Sequence, residues 1–295
     1  MRAATLLAGT VLVLLAALAW FTLPWLQTRR ADLLLADANG HIESANRSLA
    51  EIDIDLLSPE GFTSLEEIDK AREAVAAAGP RLEESTAEVD KAEAAAEKGS
   101  GLLRLPDWYA DYLRKKQEVA KLRGRQLRLL EDAAGKLEEL YQAAPLMFQA
   151  MEEMDRLLGR FESAMDTTQD DPVGAAAALD EVSRSMRAIQ QRLEDLYARS
   201  GFILLQHMAD NVRSNAELAE QSKLLADAVA GGDQSLVQQT ASDLENHLME
   251  TDIGIDYLQL WLDTEIKPLK SEYEVLRSRQ QQLDQEAAEL FHEHR

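Results

Sequence analysis

The sequence contains no cysteine among its 295 residues. Disulfide bonds, thiolate metal ligands and a lipid-modified N-terminal cysteine are therefore excluded. Aromatic residues make up only 5% of the chain, and there are only seven prolines and 14 glycines. An all-β fold needs turn residues far more often, and a thick globular core needs more aromatic volume. The composition therefore predicts long helices that bury narrow seams between them.

Positive charge is also scarce. The chain has 31 lysines and arginines against 53 aspartates and glutamates, which gives a net charge of -22. A surface this acidic repels phosphate groups, so we expect no nucleic acid among the partners. The excess of carboxylates is most simply interpreted as solvation of the outer faces of helices.

One long apolar run lies near the N-terminal end. Residues 3–26 include no charged side chain, and arginines flank the run on both sides. At about 1.5 Å per residue, one helix of this length crosses the roughly 30 Å hydrocarbon layer of a bilayer. Trp20 and Trp25 fall where an interfacial aromatic belt would lie. We therefore predict a transmembrane signal-anchor over residues 1–28, with the lipid bilayer as the partner of residues 3–26.

Two questions about this run stay open at the level of sequence. Residues 17–19, Ala-Leu-Ala, have the small-x-small spacing of a signal-peptidase site, but the apolar continuation beyond them favours an uncleaved anchor. Arg2 on one side is balanced by Arg29 and Arg30 on the other under the positive-inside rule. Because a short N-terminal tail usually stays inside, we expect a single-pass membrane protein whose helical part is extracytoplasmic. A cytoplasmic helical part is the alternative.

The rest of the chain predicts an all-α fold. Apolar residues recur every three or four positions, the spacing of helices that pair through one face. The longest such ladder is a heptad repeat in the last helix, formed by Ala241, Leu248, Ile255, Leu262, Leu269, Leu276, Leu283 and Leu290. We predict an N-terminal transmembrane helix followed by an elongated antiparallel helical bundle or coiled-coil rod of about five long, kinked helices.

Breaks in the pattern suggest a domain organisation. A membrane-proximal helical hairpin is predicted over residues 29–98, a Gly/Leu linker over 99–106, and a long three-helix antiparallel coiled-coil region over 107–295. Prolines inside the helices leave the phase of the apolar seam unchanged, so we interpret Pro80, Pro145 and Pro268 as kinks.

Polar residues predict several helix ends. Ser64 is placed for a capping box, and Asp171 and Asp233 are placed as N-caps. A bend or break is expected near Gly201, where the apolar stripe changes register.

The linker and the helix after it contain the most unusual mixture of apolar and basic residues. If each turn reverses the chain, the second turn returns to the bilayer, because the first two helices have similar lengths of about 45 and 50 Å. Apolar anchors beside cations suit anionic headgroups. The predicted membrane-surface residues are Leu102, Leu103, Arg104, Leu105, Trp108, Tyr109, Lys115 and Lys116. Under the alternative, the leucines cap the bundle core and the arginines pair with glutamates of the preceding helix such as Glu83, Glu84 and Glu88.

No pattern of residues predicts catalysis. Glu289 and His292 have the Glu-x-x-His spacing of a di-iron ligand pair, but a di-iron centre needs carboxylates from several helices, and the sequence offers no second pair. His41, His207 and His247 each stand apart from other candidate ligands, and no phosphate-binding glycine loop follows a strand. We therefore predict neither catalytic residues nor a metal or cofactor, and we do not expect an enzyme.

Two classes of function fit these features. The first is a non-enzymatic, membrane-anchored helical scaffold at the cell envelope, which binds a protein partner or associates with itself through its coiled-coil seams. The second is an extracytoplasmic sensor, in which a ligand enters a cleft opened by a proline kink and the signal passes through a partner. Only two residues precede the apolar run, which leaves no room for an output domain and favours the scaffold.

Overall fold

The structure is a computed structural model that describes residues 2–52, 55–59, 64–102, 105–250 and 257–294. Side chains are described within these ranges except at residues 2–22, 24, 246–250 and 257. The described residues are helical almost throughout and include no β-strand, which confirms the all-α prediction. In chain order the helices are α1 (Arg2–Ala50), α2 (Leu65–Ser100), α3 (Asp107–Thr167), α4 (Pro172–Ser200), α5 (Ile203–Gly231), α6 (Gln234–Glu250), α7 (Tyr257–Trp261) and α8 (Lys267–His294).

Helix ends lie where the sequence provides caps. The Oγ atom of Ser64 accepts a hydrogen bond from the Glu67 N–H at 3.3 Å, and Asp171 Oδ1 accepts one from the Gly174 N–H at 3.0 Å. Asp233 caps the start of α6 through the Leu236 N–H at 3.1 Å. Gly201 follows α4 with a φ of 70°, a left-handed conformation that favours glycine, and so ends the helix. The predicted caps and the break near Gly201 are therefore confirmed.

The prolines act differently at their three positions. Pro80 and Pro145 lie inside α2 and α3, which are unbroken across them. Pro268 is the second residue of α8 and follows a π-helical turn at Leu262–Ile266. A proline ring clashes with the carbonyl four residues earlier, and the wider π-turn changes the backbone at that carbonyl. The sequence predicted only a kink here and missed the π-turn.

The chain divides into two compact units, each built from separate stretches of sequence. The first comprises residues 1–59, 73–135 and 267–295, and the second comprises residues 60–72 and 136–266. Helix α3 contributes its first half to one unit and its second half to the other. The predicted linker at 99–106 therefore does not separate the units, and the predicted hairpin shares a unit with parts of α3 and α8.

The first unit is a four-helix bundle of α1, α2, the first half of α3, and α8. Successive neighbours run antiparallel, since contacts join residue 41 to 88, 48 to 84, 86 to 131, 115 to 286 and 125 to 272. Small side chains let α1 and α2 approach closely, as at Ala38 and Ala92, and Ser85 Oγ donates to the Ala45 carbonyl at 3.1 Å. Leu276 and Leu283 of the predicted heptad ladder are buried against Val119 and Leu122.

The second unit packs α4 and α5 antiparallel and sets the second half of α3 against α4. Its core includes Leu179, which is fully buried among alanines of α3, α4 and α5. Ion pairs reinforce the outside of this core, with Lys223 Nζ 3.0 Å from an Asp180 carboxylate oxygen and Arg187 Nε 3.2 Å from one of Glu220. The ring of Trp261 contacts Phe202 edge to face, with ring centroids 5.8 Å apart.

Candidate functional site

Aromatic rings gather at one end of the first unit, where α3 begins and α8 ends. We call Trp108, Tyr109, Tyr112, Phe291 and His294 the aromatic cluster. Two spacings produce it: residues 108, 109 and 112 share one side of α3, and residues 291 and 294 share one side of α8. Helix α1 contributes Ala31, which is fully buried in the same cluster of side chains.

Each ring of the aromatic cluster contacts at least one other ring of the cluster. Trp108 stacks on the His294 imidazole with centroids 5.2 Å apart and an interplanar angle of 11°. Trp108 also meets Tyr109 edge to face at 5.2 Å, and Tyr112 lies 5.3 Å from Phe291. Only 2% of Tyr109 is exposed. These contacts close the end of the bundle with packed aromatic surface.

The hydroxyl of Tyr109 donates a hydrogen bond to the Asp32 carboxylate, which joins α3 to α1. Burial raises the pKa of Tyr109, and the hydrogen bond to Asp32 raises it further. The tyrosine is therefore held protonated well above its usual range. This contact fixes the register of α1 against α3 immediately after the N-terminal apolar run.

The structure places most of the predicted membrane-surface residues inside the first unit. Leu102, Leu105 and Trp108 are partly buried and pack against the core that contains Leu113 and Ala287. Tyr109 is buried. Leu103 and Arg104 lie outside the described residues.

The two predicted lysines form ion pairs with α8. Lys115 Nζ lies 2.5 Å from Glu286 Oε2, and Lys116 Nζ lies 2.7 Å from Asp284 Oδ1. Arg125 pairs in the same way with Glu272 at 3.2 Å. The intramolecular alternative named α2 as the source of carboxylates, whereas the structure supplies them from α8. On α2, Glu84 and Glu88 bond instead to α1, through Ser48 and His41.

A different part of the first unit leaves apolar and basic side chains exposed. At the end of the apolar run, Leu23, Trp25 and Leu26 are exposed by 37%, 60% and 52%. The Arg29 guanidinium lies over the Trp25 ring at 5.5 Å from its centroid. Among the described residues, neither Arg29 nor Arg30 has a carboxylate within ion-pair distance. We call these five residues the α1 collar.

No described helix is both long enough and apolar enough to cross a membrane. The side chains of residues 2–22 and of Pro24 lie outside the described part, so most of the predicted span at 3–26 falls there. The backbone of α1 runs as one helix from Arg2 to Ala50.

The second unit contains a groove that sequence reasoning did not locate in detail. Two adjoining hollows of about 260 and 310 Å³ lie between α3 and α4 and share Leu146, Leu196 and Arg199. Leu146 directly follows Pro145, whose missing N–H removes one hydrogen bond from α3. The Arg199 guanidinium makes no ion pair within the described chain, whereas Arg192 beside it pairs with Glu153.

Titratable groups elsewhere serve the contacts between helices. His41 Nδ1 lies 2.6 Å from Glu88 Oε2 and its Nε2 lies 3.7 Å from Asp37. Gln126, fully buried in the first unit, donates to Gln280 Oε1 at 2.9 Å. In the part of the chain that the structure describes, no three histidine or carboxylate side chains are grouped as metal ligands would be.

No family model, no curated protein and no solved structure matches the chain. The fold and the composition define the chain as an acidic protein of helical bundles.

Proposed function

We propose that the protein is a non-enzymatic, membrane-anchored helical scaffold, held in the bilayer by residues 3–26. The observation that supports this most directly is the continuity of α1. One uninterrupted helix contains the apolar run and continues as a wall of the four-helix bundle. A bilayer that held the run would therefore also fix the direction in which the bundle projects.

The α1 collar supports the same proposal. Leu23, Trp25 and Leu26 expose apolar surface next to the run, and a tryptophan beside arginines is the usual composition of a membrane interface. In water these side chains would be an exposed apolar patch without a function. In a bilayer they would lie at the boundary between acyl chains and headgroups.

The scaffold role follows from what the helices present outward. Large apolar side chains are exposed singly on several helices, including Met151, Val173, Leu224 and Val275. The remaining surface is strongly acidic, which suits a basic protein partner and repels nucleic acid. We propose that a protein partner, or a second copy of the chain, binds along these helices on the extracytoplasmic side.

The anchor is tested by carbonate extraction of membranes from cells that express the full chain. We expect the wild-type protein to stay with the membrane and Leu14→Arg to be released, because an arginine at the centre of a span costs about 2.5–3.5 kcal/mol. Leu236→Arg is the matched control, because Leu236 is an exposed residue of α6. Release of the wild-type protein would refute the anchor.

The side of the membrane is tested by a compartment-sensitive reporter fused after Arg295, with the mature N-terminus mapped by mass spectrometry. We expect an intact N-terminus and an extracytoplasmic reporter. A cytoplasmic reporter would contradict the proposed location, and cleavage after Ala19 would contradict the anchor.

A ligand-binding role is the second candidate, and the groove beside Pro145 favours it. Its lining is mainly apolar, with Leu146 and Leu196 on opposite helices, and at its edge Arg199 supplies a cation that forms no ion pair with the described residues. A small molecule with an apolar body and one anionic group would fit this lining. Because Pro145 weakens the helix at the same point, such a ligand could change the geometry of α3.

A further inference from the structure

We infer that the α1 collar recognises anionic lipid headgroups, with Arg29 and Arg30 as the residues that contact them. This inference rests on the proposed membrane anchor and specifies the lipid class. It also moves the lipid-contacting charge away from Lys115 and Lys116, where the sequence placed it, to the start of the four-helix bundle.

Arg29 and Arg30 differ from Lys115 and Lys116 in having no acidic partner among the described residues. Carboxylates outnumber basic residues in this chain, and Lys115, Lys116 and Arg125 all pair with acidic residues of α8. Arg29 and Arg30 are exposed and find no carboxylate within 4 Å in the described structure. Their charge is therefore available to a ligand outside the chain.

Asp32 is close in sequence to both arginines, but its side chain accepts the hydrogen bond from Tyr109. Its carboxylate is thus directed toward the aromatic cluster. By binding Asp32, Tyr109 of the aromatic cluster keeps the closest acidic group of α1 away from the collar.

The position of Arg29 and Arg30 along α1 also suits contact with lipid headgroups. At about 1.5 Å per residue, Arg29 and Arg30 follow the last apolar residue, Leu26, by about 4.5 and 6 Å along α1. This is about the thickness of the headgroup layer on one side of a bilayer, given a core of about 30 Å within a total of 40–45 Å. Guanidinium groups at that depth reach lipid phosphates while the Trp25 ring stays at the boundary.

The geometry within the collar agrees with this placement. Trp25 and Arg29 are four residues apart and share one side of α1, and the guanidinium lies over the ring. Leu23, Leu26 and Arg30 form a neighbouring stripe at intervals of three and four residues. Each stripe thus presents apolar surface first and a cation one turn later, and the next residue, Ala31, is already in the bundle core.

The inference is tested with the full chain reconstituted into vesicles of phosphatidylcholine mixed with phosphatidylglycerol. In parallel samples, one lipid or the other has brominated acyl chains, which quench nearby tryptophan fluorescence. The signal from the collar is the difference between the chain and its Trp25→Phe variant. We expect brominated phosphatidylglycerol to quench this signal more strongly than brominated phosphatidylcholine. Each arginine should enrich the anionic lipid around the collar by a factor on the order of five.

Two double variants identify the residues responsible. The preference should disappear in Arg29→Gln/Arg30→Gln and return in Arg29→Lys/Arg30→Lys, because a point charge suffices for electrostatic attraction. It should persist in Lys115→Gln/Lys116→Gln, the matched control that removes the same charge from paired positions.

Two outcomes would overturn the inference while leaving the anchor intact. One is equal quenching by the two lipids in the wild-type chain, and the other is a preference that survives Arg29→Gln/Arg30→Gln. Failure of the wild-type chain to float with vesicles of either composition would instead refute the anchor itself, and the inference with it.

Discussion

The Tyr109 hydroxyl donates to the Asp32 carboxylate and thereby joins the start of α3 to α1, just beyond the apolar run. We expect Tyr109→Phe to lower the free energy of unfolding by about 1 kcal/mol, because the ring stays packed while one hydrogen bond to a partly solvated carboxylate is lost. Urea unfolding of the full chain in detergent, followed by circular dichroism, measures this. Tyr273→Phe, a tyrosine of α8, is the control and should unfold at the wild-type urea concentration.

The same contact predicts a dependence of stability on pH. Burial and Asp32 raise the pKa of Tyr109, so the folded chain retains a proton that the unfolded chain releases above about pH 10. The stabilisation is complete below pH 10 and declines as the pH rises further, by about 1.4 kcal/mol per pH unit.

The Tyr109→Phe variant should lose this part of the alkaline decline. It should keep the part due to Tyr141, whose burial also raises its pKa. Parallel alkaline unfolding curves for Tyr109→Phe and the wild-type chain would show that Tyr109 is not held protonated by the fold.

Lys115 and Glu286 form an ion pair, so exchanging their charges should restore most of the stability that reversing one of the charges removes. Lys115→Glu should destabilise the first unit by placing two carboxylates together, and Lys115→Glu with Glu286→Lys should recover most of the loss. Because both side chains are partly solvated, the coupling should weaken as salt is added. A thermal melt of the two single variants and the double variant at low and high salt measures it.

Low pH should weaken the same ion pair. The hydrogen bond from Lys115 lowers the pKa of Glu286 below its usual value near 4.5. The stabilisation from this group is therefore present above that value and is lost as the pH falls through the lowered pKa. A coupling between residues 115 and 286 that did not change with salt or acid would contradict an electrostatic origin.

A cavity at the position of Leu179 should lower the stability of the second unit. The residue is fully buried among alanines that have little freedom to fill a void, so Leu179→Ala should cost about 2–5 kcal/mol. The exposed Leu224 of α5 provides the matched control, and Leu224→Ala should change stability by no more than about 0.5 kcal/mol. Hydrogen exchange read by mass spectrometry should show faster exchange in α4 and α5 for Leu179→Ala.

The groove beside Pro145 predicts binding of an amphipathic anion. Anilinonaphthalene sulfonate has an apolar ring system and one anionic group, and we expect its fluorescence to report binding between Leu146 and Leu196. Leu146→Trp should fill the groove and abolish binding. Arg199→Gln should weaken binding roughly tenfold by removing a charge-assisted hydrogen bond.

Arg156→Gln is the control for that titration, because Arg156 is exposed on α3 and is not part of the groove lining. Equal affinities for the wild-type protein, Leu146→Trp and Arg199→Gln would mean that the groove does not bind the probe. The ligand-binding candidate would then lose the observation that favours it.

Much of the local structure could be predicted because it depends on neighbouring residues. Ser64, Asp171 and Gly201 mark helix ends through hydrogen bonds and backbone conformations that involve only the next few positions. The seam through Pro145 predicted an unbroken helix, and α3 is unbroken there. These features need no knowledge of which helix packs against which.

The pairing of helices could not be predicted in the same way. Lys115 was expected at the membrane surface, and under the alternative the arginines near it were expected beside Glu83, Glu84 and Glu88 of α2. Lys115 instead pairs with Glu286, which is 171 residues away. Seams of alanine and leucine are similar enough in shape that many helix pairs would satisfy them. The π-turn before Pro268 was missed for a different reason: the apolar pattern shows that a proline lies in the seam, but not how the backbone relieves the clash of its ring with the carbonyl four residues earlier.

The interleaved course of the chain has a consequence for biosynthesis. The first unit takes its last wall, α8, from residues 267–294, after the whole second unit has been synthesised. Until the ribosome has released that helix, the surface that Leu276 and Leu283 will cover, including Val119 and Leu122, has no partner. The second unit can therefore fold during translation, whereas the first must wait with an open seam. A nascent chain of this design therefore exposes an apolar surface until its last helix has been synthesised.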